Sequence, residues 1–151
     1  MSDRIEKQVL LRAPRSRVWQ AIADKTEFGA WFGVRFPAGT FAAGETVSGN
    51  ITYPGYEHLV MDVEIVEVSP EQRLSYRWHP YAVDPSVDYS AEPTTLVTFT
   101  LEEATGGTLL TIVESGFDRI PLHRRDEAFR MNEGGWAEQT INIERHVTAS
   151  K

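Results

Sequence analysis

The sequence predicts an α+β domain: a curved antiparallel sheet of about six strands wrapped around a long C-terminal helix, with two short helices after the first strand. Three observations carry this. Segments of period-two alternation separated by turn residues recur between Glu45 and Glu114, a helical pattern follows Pro14, and a longer helical pattern runs from Arg125 to Thr148. Consecutive strands joined by short turns pair as a meander. The apolar face of such a sheet needs a cover, and the closing helix supplies it.

Ile5 to Leu11 reads as the first strand, with Ile5, Lys7, Val9 and Leu11 on one side of the pleat. Ala13-Pro14 ends it, and Pro14 suits the first position of a helix, where its missing N–H is no loss. Val18 and Ile22, with Trp19 and Ala23, give that helix an apolar stripe; a second short helix follows over Thr26 to Phe32, with Thr26 as its N-cap. Gly33 to Gly44 is rich in turn residues. Glu45 to Tyr53, His58 to Val68 and Arg73 to His79 then read as strands, separated by Pro54-Gly55 and by Ser69-Pro70-Glu71. In the third of these, Leu74, Tyr76 and Trp78 share a face.

Pro80 to Pro93 holds three prolines and no periodicity, so it is an extended loop, of a length that is often functional. From Thr94 onward Val97, Phe99 and Leu101 alternate with polar residues, and Gly106-Gly107 joins that strand to one in which Leu110, Ile112 and Glu114 share a face. The last helix places Phe129, Asn132, Trp136, Thr140, Ile143 and Val147 on one side. Gly134-Gly135 inside it costs roughly 1 kcal/mol per glycine against alanine, which points to a kink or a close backbone approach.

At 151 residues, with 41% hydrophobic and 25% charged residues, the chain fits a single domain over 1–151 that buries a core without staples. The formal charge of −7 and the scattered basic residues, with Arg124-Arg125 the one adjacent pair, argue against nucleic acid as a partner and against anionic membranes. Cysteine is absent, which removes disulfides, thiol nucleophiles and thiolate metal sites. The opening MSDRIEKQVLLRAP has no apolar core fit for a signal peptide, and no stretch of ~18 apolar residues exists to span a membrane. A cytoplasmic protein without membrane insertion is the expectation.

Several strings carry a family resemblance. APRSRVWQAIADKTEFGAWFG resembles the opening helix pair of the START-like (SRPBCC, helix-grip) superfamily, and VEVSPEQRLSYRW resembles its Pro-turn hairpin. GGTLLTIVESGF, followed by GGW in the last helix, is similar to the branch related to the C-terminal domain of the activator of Hsp-ninety ATPase. The match covers nearly the whole chain. It implies the helix-grip fold and a cavity between sheet and C-terminal helix, since members of this superfamily bind lipids, polyketides, hormones or other apolar molecules. It does not imply one reaction. The separate N-terminal domain of the true co-chaperones is missing, which argues against chaperone activation.

Four tryptophans, five tyrosines and seven phenylalanines are numerous for this length, and they serve either as core or as the walls of a cavity for a flat or lipid-like ligand. The expected wall is Trp31, Tyr76, Trp78, Phe99, Trp136 and Ile143, with Asn132, Gln139 and Glu114 as polar contacts. Glu114 is the candidate acid/base. On the inward face, desolvation would raise its pKa unless a donor pairs with it; the competing reading leaves it wet at the strand end or capping the backbone of the Ser115-Gly116 turn. His58, His79, His123 and His146 show no metal-ligand spacing, so neither a metal nor a cofactor is expected. No G-x-S-x-G elbow or phosphate loop is present.

The leading expectation is therefore binding of a small hydrophobic or amphipathic molecule between sheet and helix. One alternative is an acid/base enzyme of the hydrolase, cyclase or isomerase type, using Glu114 aided by His58 or His79. Another is a stress-response or chaperone-associated interaction module, and a homodimer stays open as an assembly.

Overall fold

The computed structural model describes residues 4–80 and 86–149. Among these the order is β1 (Arg4–Leu11), α1 (Arg15–Ala23), α2 (Lys25–Phe32), β2 (Val34–Arg35), β3 (Thr46–Ile51), β4 (Val60–Ser69), β5 (Arg73–Trp78), β6 (Thr95–Ala104), β7 (Gly107–Ser115), a 3-10 turn over Phe117–Arg119, and α3 (Leu122–Ala149). The strands form one antiparallel sheet in the order β1-β7-β6-β5-β4-β3-β2. The α+β helix-grip architecture is thus present, with α3 closing the apolar face. Seven strands replace the expected six or so. The addition is β2, a two-residue strand paired with the end of β3, too short for alternation to reveal inside a turn-rich segment.

Element ends moved for identifiable reasons. Asp24, not Thr26, caps α2: its carboxylate accepts from the Glu27 N–H at 3.0 Å, which leaves Thr26 inside the helix. Pro14 takes the cap position of α1 rather than its first turn, with extended ψ of 155°. α3 begins at Leu122, three residues before Arg125, because the Pro121 carbonyl accepts the N–H groups of Arg124 and Arg125. Its first turn is Leu-His-Arg-Arg with Leu122 largely exposed to solvent, so no apolar period marks it. Gly33 ends α2 in the left-handed region at φ 99°, where a side chain is strained.

A Cβ added at Gly134 or Gly135 would meet nothing within 4 Å, so the expected close backbone approach is absent at both. The Pro80–Pro93 loop, with Tyr81, lies partly outside the described residues. Its later part is fastened to α3: the Arg124 guanidinium bonds the Glu92 carboxylate at 3.0 Å and the Pro80 carbonyl at 2.7 Å, and lies 4.7 Å from the centre of the Tyr89 ring.

The core is dense in rings. Phe28 sits at its centre, within 4.8 to 6.4 Å (between ring centres) of Trp31, Phe32, Phe36, Phe41, Tyr76 and Phe99, mostly edge to face. Such pairs contribute roughly 0.5–1.5 kcal/mol each beyond the area they bury. Among the described residues no helix is long and apolar enough to cross a membrane.

Candidate ligand site at Glu114

Glu114 closes β7 on the inward face and is fully buried. The wet reading of this residue is therefore overturned. Strand register explains the burial: its sheet neighbours are Ile5 on β1 and Val97 on β6, both buried apolar residues. Neither can satisfy a carboxylate, so the donors arrive from elsewhere.

They come as two pairs. Trp78 and Thr95 are cross-strand partners of β5 and β6; the Trp78 indole N–H donates to Oε2 at 2.7 Å and the Thr95 hydroxyl to the same oxygen at 2.6 Å. Asn132 and Trp136 stand one turn apart on α3, which puts them on one face. The Trp136 indole N–H donates to Oε1 at 2.8 Å, and Asn132 Nδ2 lies 3.0 Å from Oε1 and 3.2 Å from Oε2. Every partner is a donor, the set that an ionised carboxylate accepts. No ion pair among the described residues includes Glu114.

Beside this carboxylate lies a cavity of about 70 Å³, lined by Phe32, Trp78, Asn132, Gly135, Trp136 and Gln139. The three rings stand mutually close, with centres 6.0 Å apart for Phe32–Trp78 and 5.9 Å for both Phe32–Trp136 and Trp78–Trp136. Gln139 Nε2 donates to the Phe32 carbonyl at 3.0 Å, which ties the end of α2 to α3 across the cavity, and its Oε1 accepts from Asn142 at 3.1 Å.

Of the expected wall, Trp78, Asn132, Trp136 and Gln139 line this cavity, and Glu114 stands behind three of them. Trp31, Tyr76, Phe99 and Ile143 do not; they are core residues, and the Trp31 indole N–H is engaged by the Ala21 carbonyl at 2.8 Å. Sequence reasoning missed Phe32 and Gly135 as lining residues and Thr95 as a partner of Glu114. The GGW string marked the place of Gly135. Thr95 needed the register of β5 against β6, which alternation alone does not supply.

The Tyr76 hydroxyl is buried without a hydrogen-bond partner among the described residues. Burial first, and the nearby Glu114 charge second, push its pKa well above the usual 10.0. This phenol stays neutral at any ordinary pH. His79 bonds the Glu92 carbonyl at 3.0 Å and His146 bonds Glu27 at 2.9 Å, and no metal-holding cluster occurs among the described residues.

The family model described as "Activator of Hsp90 ATPase homolog 1-like protein" matches residues 12–148. The chain belongs to this family. Solved structures agree on the fold of this family member. Protein MLL2253 from Mesorhizobium loti is 22% identical, with 98% of each chain covered and a TM-score of 0.77. The Aha1 dimer from Colwellia psychrerythraea is 13% identical over 95% of each chain, with a TM-score of 0.69. DynU16, a putative protein in the dynemicin biosynthetic locus, is 23% identical with a TM-score of 0.75; the present chain is covered in full and spans 49% of that one. Comparison with curated proteins gives no match.

Proposed function

We propose that this member of the family binds a small apolar or amphipathic molecule in the cavity between α2, β5 and α3. The observation that carries the proposal is the cavity's composition: three aromatic side chains, with two amides as the polar groups. Its size bounds what enters. A volume of about 70 Å³ falls well below the ~300–1,000 Å³ of sites that engulf a whole ligand, so it receives one end of a molecule whose remainder passes Gly135 toward solvent. Burying about 100 Å² of apolar surface there contributes about 2.5 kcal/mol, so the polar contacts and the emerging part of the ligand set the affinity.

The acid/base reading of Glu114 has less support. Both oxygens already accept hydrogen bonds from fixed donors, and a general base needs an oxygen within reach of a substrate proton. A chaperone partnership rests on the family description alone, and a second copy as partner rests on one relative described as a dimer.

Gly135 gives the test. A side chain at this position has open space before it and projects at the cavity mouth. Gly135→Leu is expected to keep or raise the melting temperature while weakening every ligand at least tenfold, read by tryptophan fluorescence across a panel of small neutral, cationic and anionic amphiphiles. Absence of binding across the panel, or equal binding by the variant, would overturn the proposal.

A further inference from the structure

The kind of ligand follows from the charges around the cavity, granted the reading that the cavity binds one. Buried carboxylates are ordinarily paired with a cation, because desolvation of a lone charge is costly. Glu114 is fully buried and none of the ion pairs among the described residues reaches it; the donors that hold it there, Trp78, Thr95, Asn132 and Trp136, are all neutral. Three of those donors, Trp78, Asn132 and Trp136, separate the carboxylate from the cavity they line. The negative charge therefore stands one side chain away from whatever the cavity holds.

The lining itself favours the same sign. Phe32, Trp78 and Trp136 meet at the cavity, and aromatic faces attract cations through the ring quadrupole, indole most strongly. Each of the two indoles donates its N–H to Glu114, which draws negative charge toward the ring system and strengthens that attraction. An anionic ligand meets little help. The Trp78 and Trp136 N–H groups are committed to Glu114, Asn132 Nδ2 is turned onto Glu114, and Gln139 Nε2 is turned onto the Phe32 carbonyl. Among the described residues no Lys, Arg or His lines the cavity. The net charge of −7 raises the local concentration of cations around the whole molecule.

We infer that the ligand presents an alkylated ammonium group to this cavity, with Phe32, Trp78 and Trp136 as the surfaces that receive it and Glu114 as its buried counter-charge. An ammonium bearing methyl groups is compact and loses less hydration on entry than a bare ammonium does. No covalent step is involved.

The test uses the full chain and a matched pair of probes: choline, and 3,3-dimethylbutan-1-ol, which replaces the charged nitrogen by carbon at nearly the same shape. Each is titrated against tryptophan fluorescence. Choline is expected to bind at least tenfold more tightly than the neutral isostere, and Phe32→Leu, which keeps apolar packing but removes one ring, is expected to weaken choline more than the isostere. Glu114→Gln should lower the preference to what the rings alone supply; where that variant fails to fold, Phe32→Leu alone decides. Equal binding of the two probes would overturn the ammonium inference while leaving the cavity as an apolar site. Binding of anionic or neutral panel members only, still blocked by Gly135→Leu, would do the same. Failure of every member of the panel would remove the binding proposal itself.

Discussion

Two buried hydroxyls near Glu114 differ in the one respect that decides their energetics. Thr95 donates to the carboxylate at 2.6 Å, whereas Tyr76 has no partner among the described residues. Thr95→Val is expected to cost about 1–3 kcal/mol, since a buried charge loses a donor, while Tyr76→Phe should be neutral or stabilising by up to about 1 kcal/mol. Urea unfolding of both variants checks the contrast. The two also separate by pH. Tyr76 has a raised pKa in the folded state, so its contribution is intact below pH 10.0 and declines as pH rises beyond that value, where the unfolded chain loses the proton and the folded one retains it. The wild type should therefore lose stability above that pH more steeply than Tyr76→Phe. At this scale the sequence was informative about which face Glu114 occupies, through its alternation with Leu110 and Ile112. It was silent on the donors, because they come from three different elements and are brought together by register and helix rotation rather than by any local pattern.

α3 joins the candidate site to the core. It supplies Asn132 and Trp136 to the carboxylate, Gln139 to the end of α2, and Ile143 and Val147 to the core. These residues follow a helical period, and that half of the helix was legible in the sequence. The first turn was not, since Leu122 faces solvent and the start depends on the Pro121 carbonyl. Gly134 and Gly135 weaken the helix without any packing need. Gly134→Ala should raise stability by about 0.5–1 kcal/mol, measured as a higher urea midpoint at unchanged slope. Near the other end, Glu27 of α2 accepts from Arg17 of α1 at 2.7 Å and from His146 at 2.9 Å, a junction of all three helices. Burial raises the Glu27 pKa, but the hydrogen bonds and charges of His146 and Arg17 outweigh it, and the net direction is down from the usual 4.5. A lowered carboxylate pKa stabilises above the unfolded value and is lost as pH falls through the folded one. Glu27→Gln should flatten the fall of melting temperature on acidification below pH 4.5, and an unchanged profile would contradict this role.

Over the whole molecule, helix-grip topology follows from a short list of residues. Turns at Gly106-Gly107 and Ser69-Pro70 keep neighbouring strands antiparallel, the β1–β7 pairing brings the first strand beside the last, and the aromatic cluster around Phe28 fills much of the space the sheet curves around. That fold, and the family, were legible from the strings that carry the resemblance. The extent of the interior was not. Sequence marks aromatic positions but does not say whether rings meet each other or leave room between them; here Trp31, Tyr76 and Phe99 meet, and the room lies at Phe32, Trp78 and Trp136.

The four indole N–H resonances in a nitrogen-15 NMR spectrum test most directly the proposal that this room, backed by Glu114, is a ligand site. Titration with choline should move the Trp78 and Trp136 resonances, whose N–H groups are bonded to Glu114, and leave those of Trp19 and Trp31 in place. Four resonances that all stay, or all move alike, under choline and under every other member of the amphiphile panel would contradict it.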